Sequence, residues 1–301
     1  MRISTTWQYQ STVSQMLNQQ SKLTDTQLKM ASGKKYLTPS ENPQAAVSLI
    51  DFNQRIKVYQ QYQDNIVTVR QRLGQENASI DAGISIVQSI RDLAIQGMNA
   101  VNEGTNRTQI AGEIDQLKEQ LFTIANTQNP NGEYIFSGYK TDQPAFTYDS
   151  ATSTYTFQGD TNQRLIAIGP SREMADGDPG ISSSGVSVFG AGSIGNVFQA
   201  VQKLSDDLKS NSPNSASLAD LDNALDNLSS VQVTIGARLN ALDVQENTND
   251  DYIIDHKTMT SEIGDLDYAQ ATSDFNLQNV ALQAAQQAFA KVQKLSLFNY
   301  L

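Results

Sequence analysis

The sequence predicts a mainly α-helical chain with a β-rich insert, on three observations. Apolar residues recur at sevens from about residue 43, the texture changes to period two with Gly, Pro and Thr between about 129 and 195, and all seven prolines lie outside the helical tracts.

The N-terminal segment places Met16, Leu23 and Met30 at sevens, with Val13, Gln20 and Gln27 between them, so it reads as an amphipathic helix. A turn follows at Thr38 to Pro43. Ser40 or Asn42 can cap the next helix, and Pro43 sits where a missing backbone N–H costs nothing. From there one seam runs Phe52, Tyr59, Ile66, Leu73, Ile80, Val87, Ala94, Val101. The other, Leu49, Ile56, Gln63, Arg70, Asn77, Ile84, Arg91, Met98, is interrupted by polar groups. A straight helix over this tract would be roughly 80 Å long at about 1.5 Å per residue, so an elongated chain with coiled-coil character is expected.

Asn102, Glu103, Gly104 and Thr105 break the tract. Ile110, Ile114, Leu117, Leu121 and Ile124 then mark a second helix, and the short connection implies an antiparallel pair. Within the insert, Phe146 and Tyr148 alternate with threonine, as do Tyr155 and Phe157, and 149–153 would serve as the loop of a hairpin. Leu165 to Ile168 is another strand, bounded by Gly169-Pro170, and 171–185 reads as loop. Helix returns near Asn196 with Val197, Val201, Leu204 and Leu208, stops at Pro213, and resumes with Leu218, Leu221, Leu225, Leu228, Ile235, Leu239 and Leu242. From about Asp267 the final helix carries Phe275, Leu282 and Phe289 at sevens, offset by Gln278, Ala285 and Val292, beside a second stripe of Ala281, Ala288 and Leu295. Two stripes on one helix ask for more than one partner, so the chain ends are expected to pair with each other and then with neighbouring subunits. Met16, Leu23, Met30, Phe275, Leu282, Phe289, Val292 and Leu295 are the expected self-assembly residues.

The expected division is 1–42 with 262–301 as terminal assembly segments, 43–128 with 196–261 as a helical bundle, and 129–195 as an outer β-rich domain. Of the 301 residues, 39% are hydrophobic, enough for a core, while a net charge of -11 opposes binding to nucleic acid or an anionic membrane. No run approaches the roughly 18 apolar residues of a membrane span, and MRISTTWQYQ lacks the design of a cleaved signal peptide. Cysteine is absent, which removes disulfides and thiolate chemistry.

Candidate chemistry is sparse, and no enzyme, cofactor or metal is expected. Gly190, Gly192 and Gly195 spell G-x-G-x-x-G, but no second parallel strand follows to hold a ribose, so a flexible joint capped by Asn196 or Ser193 is the better reading. His256, the only histidine, lies beside Asp255 without a nucleophile or ligand set and reads as an exposed helix residue. Asp250, Asp251, Asp255, Glu262, Asp265 and Asp267 lack calcium-loop spacing and read as a solvated face or an interface to basic neighbours. Asp176-Gly177-Asp178-Pro179-Gly180 reads as a turn in preference to a cation loop.

Several ordered segments together resemble the flagellin superfamily, on its hook–filament junction side. They are MRIST at the start, ASGKKYLTPSENPQAA (31–46), SIRDLAIQGMNAVN (89–102), EIDQLKEQL (113–121), NPNGEYIFSGYKTDQPAF (129–146), IGARLNALD (235–243), EIGDLDYAQATSDF (262–275) and the ending KLSLFNYL (294–301). Glu41-Asn42 stand where the superfamily usually has two aspartates. The resemblance implies an elongated flagellin-like architecture with paired terminal helices, an antiparallel helical shaft and an outer β domain. It also implies an extracellular structural subunit of the bacterial flagellum, exported through the flagellar type III channel. Implied partners are copies of itself, a FlgK-type junction protein below, flagellin above, and a FlgN-type export chaperone at the C-terminal segment. A small flagellin of the filament is the alternative. Arg91, Leu93, Gln96 and Glu113 lie in the stretch that resembles the flagellin surface read by the animal flagellin-sensing receptor; shaft residues shared by descent are the plainer reading.

Overall fold

The computed structural model describes residues 5–99, 104–183 and 185–294. Met1 to Ser4, Val101 to Glu103 and the ending from Leu295 therefore lie outside the described residues. Contacts cluster into two units, Met1–Val58 with Asp251–Leu301, and Tyr59–Asp250. The helices are α1 (Thr5–Ser32), α2 (Pro43–Met98), α3 (Gly104–Ala125), α4 (Val197–Lys209), α5 (Ser215–Gly264) and α6 (Tyr268–Lys294). Three two-stranded antiparallel hairpins pair β1 (Phe146–Asp149) with β2 (Thr154–Phe157), β3 (Leu165–Gly169) with β4 (Arg172–Ala175), and β5 (Gly190–Ala191) with β6 (Gly195–Asn196). Gly104 and Thr105, read as part of the break, belong to the first turn of α3.

In the first unit, α1 pairs with α6, and the turn between α1 and α2 is held from several directions. Asn42 proves to be the cap of α2, its Oδ1 accepting the Ala45 N–H at 3.1 Å. Gly33 closes α1 at φ 69°, a left-handed conformation that glycine takes without a Cβ penalty. The chain then runs beside the α5–α6 connection: Lys35 N–H donates to Gly264 O at 2.8 Å, and Leu266 N–H donates to Gly33 O at 2.9 Å.

In the second unit the continuous seam of α2 forms the core. Ile66, Leu73, Ile80, Val87 and Ala94 are fully buried. The second buried line is not the expected one. It is Val69, Glu76, Gly83, Ile90 and Gly97, three residues on from the seam, while Gln63, Arg70, Asn77, Ile84 and Arg91 are half-buried at its edge. The reason is close approach by neighbouring helices: a methyl on Gly83 would meet Leu121 Cδ1 at 3.7 Å and Leu228 Cδ2 at 4.0 Å. An apolar pattern search passes over positions where the neighbour's side chain fills the space.

The aromatic residues of the insert join this core. Phe146 lies 4.9 Å from Phe198 between ring centroids, and Phe136 lies 5.0 Å from Phe189, both edge-on. β1 and β2 form the expected hairpin, with Phe146 opposite Phe157 and Tyr148 opposite Tyr155; Asp149, read as loop, is the last residue of β1 and lies opposite Thr154. The stretch read as loop after Gly169-Pro170 needs correction, because Gly169 and Pro170 belong to a hairpin whose return strand is β4. Its sequence, Arg-Glu-Met-Ala, has no period-two signal. The hairpin is held instead by helix amides remote in sequence: Asn65 Nδ2 donates to Ala167 O at 2.8 Å, and Asn249 Nδ2 donates to Ile168 O at 2.9 Å.

GAGSIG is likewise not a loose joint. Gly190 and Ala191 pair with Asn196 and Gly195 around one turn of 3₁₀ helix, with Gly192 at φ 47° and packed so that a Cβ would meet Asn223 Nδ2 at 2.8 Å. Asn196, of the two proposed caps, caps α4 by accepting the Gln199 N–H at 2.9 Å. Among the described residues no parallel strand follows.

Candidate assembly surface

The two ends of the chain are complementary amphipathic helices, and the structure brings them together. α1 and α6 run antiparallel. Tyr9 packs on Phe289 with ring centroids 5.1 Å apart, Thr26 Oγ1 donates to Gln278 Oε1 at 2.9 Å, and the Tyr268 hydroxyl donates to Met30 O at 3.1 Å. Met16, Leu23 and Met30 on α1, and Phe275, Leu282 and Phe289 on α6, are all half-buried in this pair. The side chain of Val292 and the whole of Leu295 lie outside the described residues.

Seam residues thus have partners within the chain, while other apolar side chains stand out of it. Leu17 is 59% exposed and Leu28 is 52% exposed on α1; Leu277 is 69% exposed and Val280 is 65% exposed on α6. Leu17 and Leu28 lie about three helical turns apart on one side, since 3.6 residues make a turn. Leu277 and Val280 are near neighbours by the three-residue spacing. Period-seven counting misses these positions because they fall between the stripes. Asking which apolar residues a two-helix pair leaves uncovered would have found them.

Most of the remaining candidates are held by neighbours within the chain. His256 is not exposed: it is half-buried and stacks on Phe52 with ring centroids 5.7 Å apart and planes 27° apart. In the acidic run, Asp267 caps α6 by accepting the Ala269 and Gln270 N–H groups at 2.9 and 3.1 Å, and Asp250 accepts from Gln63 Nε2 at 2.6 Å. Among the described residues no group of three His, Cys, Asp or Glu is placed to hold a metal ion. Arg91 Nε reaches Asp222 Oδ1 at 2.6 Å, Leu93 packs against the core, and Gln96 and Glu113 are exposed.

The Asp176–Gly180 segment is more than a surface turn. Asp176 is buried and paired with Arg72 at 3.1 Å and with Arg164; Asp178 is buried, and its two oxygens meet Arg238 at 2.7 and 3.0 Å. Arg72 also reaches Glu133 at 2.7 Å. Beside them Glu76 of α2 accepts the Asp178 N–H at 2.9 Å. Full burial, with Asp178 and Asp176 adding like charge, pushes the Glu76 carboxyl well above the usual carboxylate range.

Comparison with known proteins bears on the paired ends directly. The bacterial flagellin N-terminal helical region matches residues 3–141, and the bacterial flagellin C-terminal helical region matches residues 218–301. The chain is similar to flagellar hook-associated protein 3 of Escherichia coli (strain K12), at 27% identity over 99% of both chains. Among solved structures it resembles a flagellar hook-associated protein from Vibrio parahaemolyticus, with a TM-score of 0.67 and 22% identity over 75% of this chain and 100% of that one. It also resembles the flagellar junction protein FlgL from Legionella pneumophila, with a TM-score of 0.57 and 19% identity over 72% and 99% of the two chains. These two structures bear on the fold.

Proposed function

This chain belongs to the bacterial flagellin superfamily, as a structural, non-enzymatic hook-associated protein of the flagellum, and from that premise we propose that it forms the layer between a FlgK-type junction protein and the flagellin filament. The observation that carries the proposal is the α1–α6 pair. Its seam is satisfied within one chain, yet each helix keeps large apolar side chains in solvent at Leu17, Leu28, Leu277 and Val280. Each such side chain is worth about 1.5–3 kcal/mol once buried. In a tubular wall one such contact repeats from subunit to subunit as a heterologous interface. Residues 1–42 and 262–301 are the assembly segments in this reading, 43–128 with 196–261 the shaft, and 129–195 the outer part.

Export through the flagellar type III channel, with a FlgN-type chaperone covering the C-terminal segment until secretion, accompanies the proposal. A chaperone would shield apolar stripes that have no neighbour in the cytoplasm. The test is a strain lacking this chain. It should build hooks carrying the FlgK-type protein and release flagellin into the medium unassembled. Filaments that stay attached, or loss of the hooks themselves, would overturn the junction assignment. Copy number per flagellum separates a thin layer from the small-flagellin alternative, which needs copies along the whole filament.

A further inference from the structure

Charge does not balance around Glu76. A cavity of about 30 Å³, room for one water molecule, is lined by Arg72, Glu76, Glu133, Arg164, Asp176 and Asp178, and Arg238 pairs with Asp178 from α5. Three guanidiniums therefore meet four carboxyl groups. Glu133, Asp176 and Asp178 each hold a direct ion pair. Glu76 holds none: one oxygen takes the Asp178 N–H, and Oε2 is buried without a hydrogen-bond partner. A bare carboxylate there would be desolvated and would face two aspartates, whereas the neutral acid is free of that repulsion and its O–H can donate into the cavity.

We propose that the proton on Glu76 is a latch: with it the 176–180 loop stays seated on α2, and its loss to solvent base drives the loop off. The loop is wired to the aromatic core, because Gly180 N–H donates to Phe136 O at 2.8 Å and Phe189 N–H donates to Gly180 O at 3.0 Å. Opening at Asp178 therefore reaches the packing of Phe136 and Phe189, and the insert loosens while the helices stay folded.

The sign follows from linkage. A carboxyl held above its free value binds its proton in the closed state and releases it in the open one, so the closed state is fully stabilised below the free value. That advantage shrinks as pH rises towards the closed-state value, beyond which it is gone. The experiment is hydrogen exchange on the full chain from about pH 5 to about pH 9, a span that reaches the raised values known for buried glutamates. With chemical exchange rates corrected for pH, protection of peptides covering 133–138 and 174–181 should fall about tenfold per pH unit between the two values. Glu76→Gln keeps the shape and the acceptor for the Asp178 N–H, cannot ionise, and should remove the slope. Infrared difference spectra at neutral pH should show a protonated-carboxyl stretch in the native chain that is absent from Glu76→Gln. Flat protection in the native chain, an unchanged slope in a folded Glu76→Gln, or no protonated carboxyl in the native chain would each overturn the latch; the two native-chain measurements decide even if the variant does not fold.

Discussion

The Thr26 hydroxyl donates to Gln278 Oε1 across 2.9 Å, joining residues 252 apart in the sequence within the seam of the α1–α6 pair. A polar pair inside an apolar seam favours one register, because a slip takes the donor from Gln278 Oε1, while Thr26 falls back on the Lys22 carbonyl 3.0 Å away on its own helix. Gln278→Leu should therefore cost little stability, about 0.5–1.5 kcal/mol, while loosening the register. The absence of native cysteine makes this easy to read: cysteines placed at Tyr9 and Phe289, whose rings lie 5.1 Å apart, should link through a short thiol-reactive cross-linker, whereas cysteines at Tyr9 and Leu282 should not. Gln278→Leu should raise cross-linking between cysteines at Tyr9 and Leu282.

Assembly and chain stability should separate by face. Leu277→Asp and Val280→Asp alter exposed side chains, so the purified monomer should unfold within about 0.5 kcal/mol of the native chain. Filament attachment should be lost in both, with secretion measured alongside to show that export is intact. Leu282→Asp faces α1 and should lower the stability of the α1–α6 pair itself, seen as faster hydrogen exchange at both chain ends.

Acid should act first on the turn before α2. Glu41 accepts the Leu37 and Thr38 N–H groups at 3.0 and 3.2 Å and pairs with Lys29 at 2.7 Å. Lys29, followed by the Leu37 N–H, holds its carboxyl below the usual range. A depressed carboxyl stabilises the folded turn above its free value and loses that contribution as pH falls through the folded one. Amide protection at Leu37 and Thr38 should drop below about pH 4, the free glutamate range. In Glu41→Gln, whose amide oxygen can still accept but cannot titrate, the drop with acid should be absent; in Glu41→Ala, which has no acceptor, protection should be low at every pH.

The helices were legible because their causes are local: the sevens of Ile66 to Ala94, the cap at Asn42 and the prolines between helices all act within a few residues. β4 was not, since Arg172 to Ala175 lack alternation and their hairpin is held by Asn65 and Asn249 from distant helices. The exposed apolar side chains of the end helices were also hidden. Leu277 and Val280 differ from Leu282 only in which side α1 covers, and that depends on the pairing register. The polar site was half visible: Asp176 and Asp178 stood out as a pair, but Arg72, Arg164, Arg238 and Glu76 join them only through the fold.

Two glycines on the buried line of α2 should respond oppositely to one methyl group. At Gly83 an added Cβ would sit 3.7 Å from Leu121 Cδ1 and 4.0 Å from Leu228 Cδ2, ordinary contact distances. Gly83→Ala therefore gains helix propensity and a little packing, and should raise stability by about 0.5–1 kcal/mol. At Gly97 the Cβ would lie 2.9 and 3.2 Å from the two methyls of Leu208, a residue with no exposed surface in a core that has no room to retreat. Overpacking of this kind costs about 1–3 kcal/mol, more than the propensity gained so close to the helix end. Gly97→Ala should thus destabilise the chain, and adding Leu208→Val to make space should recover part of the loss. Denaturant unfolding of the three variants reads the outcome. If Gly97→Ala is as stabilising as Gly83→Ala, the close contact between α2 and α4 at Leu208 is looser than described and the small-residue line is a matter of propensity alone.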